Sequence, residues 1–347
     1  MRRSTRCLIA LCYYTSLLLG LISICYNYRT GEIYTSTKAS LYSGILSIGV
    51  LGIISLMTRI DLHPPQTKAY DLHIRISAVG CLIRLIAVLA TVIIRWIKRW
   101  QLMRTLKQYQ AIHDKFIRKW PLTQEVEQKL DQAIARKFCC GLVANMGVFI
   151  GSFEYIKNQL KLKNYLEYFL WFIICSIPNM ILSHYYYGVI NVNALLESIN
   201  DQVGALIKEL QNLCQLHTSR EILSLRSDEL ATNLDELAGI QLKLVQLVGR
   251  INDYYDLQGA CIMLEYYLNN IALIYMTYMT MQHTYIVELY STWTYGFLTM
   301  SLICHYLDLK IMLASILDVE RHVKETGQLL KNHQPCMYRP DGRLHES

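Results

Sequence analysis

RWIKRWQLMRTLKQYQ (Arg95–Gln110) opens a stretch, Arg95 to Lys137, that holds eleven of the chain's 34 Lys and Arg residues and lies between hydrophobic runs. Basic residues collect on the cytoplasmic side of a membrane protein, so this stretch predicts which way every neighbouring helix points. Trp96, Trp100 and Trp120 flank or punctuate it, as aromatic side chains do at a membrane interface.

Composition agrees with a membrane setting. Of 347 residues, 53% are hydrophobic and only 18% charged, a balance that predicts a polytopic membrane protein rather than a soluble domain. The net charge of +7 comes from bases that flank apolar runs, so it describes topology and not a nucleic-acid surface. Six of the eleven cysteines (Cys81, Cys139, Cys140, Cys175, Cys261 and Cys304) lie in or at apolar runs, where a thiol acts as a small hydrophobe. There is no Cys-x-x-Cys, and Cys139 and Cys140 lack metal-site spacing, so no metal or cofactor is expected. The absence of an Asn-x-Ser/Thr sequon argues against large glycosylated outer loops.

Six apolar spans are predicted on either side of the basic stretch. They are Leu41–Thr58, Ile76–Ile94, Phe138–Phe153, Tyr165–Ile190 with a kink at Pro178, Gly259–Met281 and Ile286–Tyr306. Gly44, Gly49 and Gly52 suit close helix packing in the first of these. The earlier run Cys7–Tyr26 has three readings. It is long enough to span and begins like a signal peptide but lacks a cleavage site, and its Tyr13, Tyr14, Thr15 and Ser16 suit an interfacial helix. With that run not spanning, 27 of the 34 basic residues fall inside and 6 outside, Arg84 being the one within a span. This places residues 1–40 in a cytoplasmic or interfacial segment, 41–308 in the bundle and 309–347 in a polar cytoplasmic tail. Helical spacing of Leu195, Ile199, Val203, Leu206 and Leu210, then of Leu230, Leu234, Leu237, Leu244 and Val248, predicts amphipathic cytoplasmic helices over about 191–257. A further one is expected over about 98–137. The fold class is therefore an all-α transmembrane helical bundle with long cytoplasmic helical extensions.

LLLGLISICYNYRTGEIYTSTKASLYSGIL (Leu17–Leu46) resembles the amino-terminal region of insect gustatory receptors: an apolar Leu-Gly segment, an Arg-Thr-Gly turn, a polar strip and a Leu-Tyr opening the first span. The order of spans around a basic helix, the helical linker and VKETGQLLKN (Val323–Asn332) are similar too, over residues 10–332. The resemblance implies a chemosensory receptor that is a ligand-gated cation channel, tetrameric around a central pore, with its N-terminus inside and a ligand pocket in the outer halves of the spans. It also implies a last pore helix with Thr-Tyr, five apolar residues and Gln-Phe. No such motif follows Tyr306, where IMLASIL is the remaining apolar run, and Thr284-Tyr285 lacks Gln-Phe. The expectation is a receptor lacking its seventh helix, which would leave conduction to an assembly with other gustatory receptor subunits.

Within the spans, charged and aromatic residues mark candidate sites. A charge inside a span is costly and faces the bundle interior, a cavity or a partner. Arg84, expected in the outer half of its span, is a ligand-contact candidate, with a structural ion pair as the plainer reading and Glu154 as a candidate partner. Trp171 and Trp293 sit towards outer span ends, as belt residues or pocket lining. Glu265 with Asn269 and Asn270 forms an intramembrane polar cluster, for an ion conduit or for interhelical hydrogen bonds. His184, beside Tyr185, Tyr186 and Tyr187 without an acid or metal partner in sequence, reads as structural.

Enzyme chemistry finds no motif: there is no phosphate-binding glycine loop, His-Glu-x-x-His or Gly-x-Ser-x-Gly. A seven-span G-protein-coupled receptor would carry Asp-Arg-Tyr and Asn-Pro-x-x-Tyr, and both are missing. A transporter would show paired Gly/Pro interruptions, and Pro178 stands alone. The sequence therefore predicts a plasma-membrane receptor for small-molecule tastants with partners in the bilayer, and no nucleic-acid partner.

Overall fold

Long apolar runs with few breakers dictate long helices, and the computed structural model shows them. It describes residues 3–26, 33–57, 68–156, 162–215, 220–282 and 292–332. The Arg-Thr-Gly turn, Pro64 and Pro65, KNQLKLK, Thr284-Tyr285 and the tail from His333 lie outside the described residues or straddle their edges. Among the described residues there are eight helices and one two-stranded hairpin. The helices are α1 (Arg3–Leu18), α2 (Thr37–Met57), α3 (Lys68–Ile97), α4 (Arg99–Lys119), α5 (Gln124–Ile156), α6 (Leu162–Gln215), α7 (Arg220–Gln282) and α8 (Thr292–Asn332). Strands β1 (Ile24–Tyr26) and β2 (Ile33–Thr35) pair antiparallel, with Cys25 opposite Tyr34. The chain is all-α apart from this ribbon.

The amino-terminal run resolves into a helix and a turn. At 16 residues α1 is about 24 Å long, short of the roughly 30 Å hydrocarbon core. It closes on Gly20, whose φ of +67° is the left-handed conformation that glycine adopts without a Cβ penalty. Leu21 N–H reaches back to Ser16 O (2.8 Å) and Gly20 N–H to Leu17 O (3.0 Å), the paired bonds of a Schellman cap. A Cβ here would also come within 3.0 Å of Leu46, so α1 and α2 meet at this glycine. Of the three glycines expected to aid packing, Gly44 lies under the Trp96 ring, whereas a Cβ on Gly49 or Gly52 would meet nothing within 4 Å among the described residues.

The amphipathic helix expected over about 98–137 is two helices. Pro121 disfavours the α conformation for the residue before it, and Trp120 is extended (φ −128°, ψ 92°), ending α4. Thr123 then restarts the chain, accepting a hydrogen bond from Val126 N–H on its Oγ1. From there α5 runs without a break into the apolar run Phe138–Phe153. Pro178 lies inside α6 and does not end it.

The boundary expected at Asp308 falls within a helix. α8 continues to Asn332 because its later turns keep a buried face: Met312, Ser315, His322 and Thr326 are all buried. Asn193 of α6 donates to Ser315 O (2.7 Å) and Asn200 to His322 O (3.0 Å), while Gln241 of α7 donates to Thr326 (2.8 Å). Within Thr299–Asn332 an 18-residue window has mean hydropathy 1.5, long and apolar enough to cross a membrane.

Helix packing divides the molecule into two regions. α3 lies along α7, α5 along α8, and α6 touches both α7 and α8. The largest apolar core joins α4, the second half of α6 and the first half of α7: Phe116 and Trp120 stack at 5.6 Å and pack among Leu195, Ile199, Leu237 and Leu244. This end of the molecule is called the α4 end below. Smaller apolar clusters continue along the other halves of the same helices, around Val88, Ile177 and Ile181 and around Ile262, Tyr266 and Met312.

Candidate functional site

Eight polar or charged residues of the apolar helices point inward, as two ion pairs and a chain of neutral groups. Arg84 of α3 donates from Nε to Glu265 Oε1 of α7 at 2.7 Å, and its Nη2 reaches the same oxygen. Glu265 is buried and Arg84 largely so. The sequence offered Glu154 as partner, but its side chain lies outside the described residues, and the pairing seen is with Glu265. Depth explains the match. Arg84 precedes Arg95 by eleven residues and Glu265 follows Asp256 by nine, so each lies about 13–16 Å along its helix from the α4 end. An unpaired charge that far inside a bundle of apolar helices is costly.

Beside this pair runs a chain of neutral groups. Tyr266, next to Glu265, donates its hydroxyl to Asn179 Oδ1 of α6 (3.1 Å), and Asn179 Nδ2 reaches Asn145 Oδ1 of α5. His305 of α8 sits edge-on to the Tyr266 ring at 4.2 Å, and its Nε2 is buried with no hydrogen-bond partner among the described residues. One turn further along α8, Asp308 accepts from Lys137 Nζ of α5 at 2.6 Å, and the same ammonium lies 5.6 Å from the Tyr186 ring. Lys137 is 1% exposed, so both the carboxylate and the aromatic face replace its lost water. Above it Ser301 donates to Ala144 O (3.0 Å) and sits so tightly over Gly147 that a Cβ there would collide with its hydroxyl. Small residues and hydrogen-bonded polar ones are what holds helices together in lipid, where apolar packing alone gives no preference for protein over acyl chains.

The predicted site residues are distributed unevenly. Arg84 and Glu265 meet, although they were expected in different groups. Asn270 is half-buried on the same helix as Glu265, while the side chains of Asn269, Trp171 and Glu154 lie outside the described residues. Trp293 is 90% exposed, on the outer face of the bundle rather than in a pocket of this chain. Asn145, Asn179, Lys137, Asp308 and His305 were not singled out. Their signal was legible: each is a polar residue within or at the edge of an apolar run.

His184 does have a partner, one that sequence spacing could not show. Its Nε2 bonds Ser16 Oγ of α1 at 2.7 Å, and one turn on Tyr187 bonds Cys12, so α1 is clipped to α6 by two side-chain contacts. Both residues line a cavity of about 340 Å³ at the α4 end. Outside the apolar spans, burial lowers the Arg95 guanidinium from its ordinary value, although Tyr254 opposes the shift. Burial also pushes the Tyr254 phenol up to about 12.

A helical bundle with this inward polar chain is matched by known proteins. The family described as 7tm chemosensory receptor matches residues 9–347. The chain is 26% identical over 275 residues to a Drosophila melanogaster protein named "Putative gustatory receptor 36a", covering 78% of this chain and 68% of the relative. It is 22% identical over 279 residues to "Putative gustatory receptor 36c" of the same fly, 79% of this chain and 69% of that one. It is also 22% identical over 334 residues to "Putative gustatory receptor 36b", 95% and 83% of the two chains. With the family matched over nearly its whole length, this chain belongs to the 7tm chemosensory receptor family.

Proposed function

We propose that this protein is a gustatory receptor subunit that forms a ligand-gated cation channel for small-molecule tastants, as a homotetramer or as a tetramer with other gustatory receptor subunits. It sits in the plasma membrane with its N-terminus and the α4 end in the cytoplasm, six spans crossing the bilayer. The observation that carries this reading is the family match over residues 9–347, joined by a polar chain that ties five helices together inside an apolar bundle. Ligand contacts in the outer halves of the spans, with Arg84, Glu154 and Trp171 as candidates and Trp293, exposed on this chain, as one only where a neighbouring subunit covers it, would favour an arrangement in which the pore is wider. The Arg84–Glu265 pair, joining α3 to α7, is the element such contacts would bias, and Asn269 and Asn270 lie one turn beyond it.

The test is electrical. Cells expressing the chain alone, or with further gustatory receptor subunits, are recorded while a panel of sugars and bitter compounds is applied. Tastant-evoked cation current in the co-expressing cells, abolished when this chain is omitted, is the expected result. Substrate accumulation or G-protein signalling without current would contradict the channel reading.

A further inference from the structure

The cavity at the α4 end is enclosed by α1 and β1 on one side, by the junction of α3 and α4 on another, and by α6 and α7 behind. Its walls are mostly apolar, with Ile22, Leu106 and Ile251 beside the rings of Tyr109, Tyr187 and Tyr255. Two polar side chains in it are incompletely hydrogen-bonded among the described residues. Arg95, 7% exposed, gives its Nη2 to Ser47 Oγ (2.6 Å) and Ser43 O (3.2 Å), both neutral. Its Nε and Nη1 make no hydrogen bond among the described residues, and no carboxylate lines the cavity. Gln258, 1% exposed, makes no hydrogen bond among the described residues: its Nε2 is a donor open to an anionic head, while its buried Oε1, itself an acceptor, gains nothing from one. Gln258 stands one turn after Tyr254 on α7, the phenol that interacts electrostatically with Arg95.

We infer that this cavity binds a small amphiphile carrying a carboxylate, its head on Arg95 and Gln258 and its apolar body along the apolar wall. A buried guanidinium with neutral acceptors and the Trp96 ring alone is under-compensated, and a carboxylate oxygen accepting from its Nε–H or its Nη1–H adds one charge-assisted bond. A cationic ligand would be repelled by Arg95. A neutral apolar one would leave both polar groups as they are. The volume lies at the lower end of ligand cavities, so the occupant is a single short chain and not a whole phospholipid. Ligand here would brace α1, the α3–α4 junction, α6 and α7 against one another. The assignment holds whether or not the chain conducts.

Binding of radiolabelled decanoate to the full chain in phosphatidylcholine nanodiscs tests this, with empty nanodiscs as the partition control. Saturable binding above the control is expected, at least about tenfold weaker for methyl decanoate and for decanoate on Arg95→Gln, as loss of one charged hydrogen-bonded contact implies. Gln258→Leu should weaken decanoate more than the ester. Equal affinity for acid and ester on the unaltered chain overturns the proposal, as does binding no greater than the control. Unchanged decanoate affinity in a folded Arg95→Gln variant overturns it as well. The acid–ester comparison decides the matter if that variant does not fold.

Discussion

The two halves of this molecule are held together by opposite means. At the α4 end Phe116, Trp120, Leu195, Ile199, Leu237 and Leu244 form a continuous apolar core, and charges sit outside it, as in Lys115 and Lys119 on Glu236. Further along the same helices the interior carries charge and amides: Lys137 on Asp308 at the border between the halves, then Arg84 on Glu265 and Asn145 with Asn179. The outside there is apolar, with Ile93, Ile274 and Ile303 all exposed. On the proposed topology the difference follows from solvent. In water, burying apolar surface drives packing; against acyl chains it gives no preference, so polar pairing and close contacts at small residues take over.

That comparison can be broken by substitution, beginning where the effect is largest. Asp308→Ala leaves Lys137 buried without its carboxylate and is expected to cost about 3–5 kcal/mol, whereas Lys137→Met with Asp308→Leu should be near neutral. Thermal unfolding in detergent, followed by tryptophan fluorescence, checks both; equal losses in the single and the double variant would deny that the pair matters as a pair. At the other end Leu244→Ala should cost about 2–5 kcal/mol, with no rescue by a polar partner. The same assay reads it, and a loss below ~1 kcal/mol would mean the apolar core is not what holds that half.

Gly20→Ala forces an L side chain into a left-handed turn and against Leu46, and about 1–3 kcal/mol is expected. Faster proteolysis within α1 would report it. The smallest effect belongs to Glu236. Hydrogen bonds from Lys115 and Lys119 hold its carboxyl below the ordinary 4.5. A lowered folded-state pKa adds stability that is full above the unfolded value and lost as pH falls through the folded one. Glu236→Gln should therefore destabilise by less than ~1 kcal/mol at pH 7 and by nothing measurable once pH is well below 4.5. A difference that grows on acidification would have the wrong sign.

Much of this architecture was legible in the chain itself. Apolar runs gave the long helices, and leucine and isoleucine spacing gave the second half of α6 and the first half of α7. The break at Trp120–Pro121 was not drawn, although proline before a polar turn carried it; the strength of the basic run suggested one continuous helix. The end of α8 is legible only through the family resemblance of VKETGQLLKN (Val323–Asn332), because its later buried face is largely polar, with Ser315, His322 and Thr326, which a hydropathy reading counts as exposed. The candidate site was half legible. Arg84 and Glu265 stood out individually as charges in apolar runs, but their meeting depends on the register of α3 against α7, which no local pattern encodes. The clip of His184 to Ser16 is similar, joining residues 168 apart.

The account rests on the apolar core lying in the cytoplasm and the polar-lined half lying in the bilayer. Accessibility of epitope tags at Met1 and Ser347 in intact cells, compared with permeabilised ones, tests this most directly. Both tags silent until permeabilisation is the predicted result, with the basic stretch Arg95–Lys137 on the same side. A tag at Met1 that is stained on intact cells would contradict it, reversing the orientation of α1 and favouring a seven-span receptor instead.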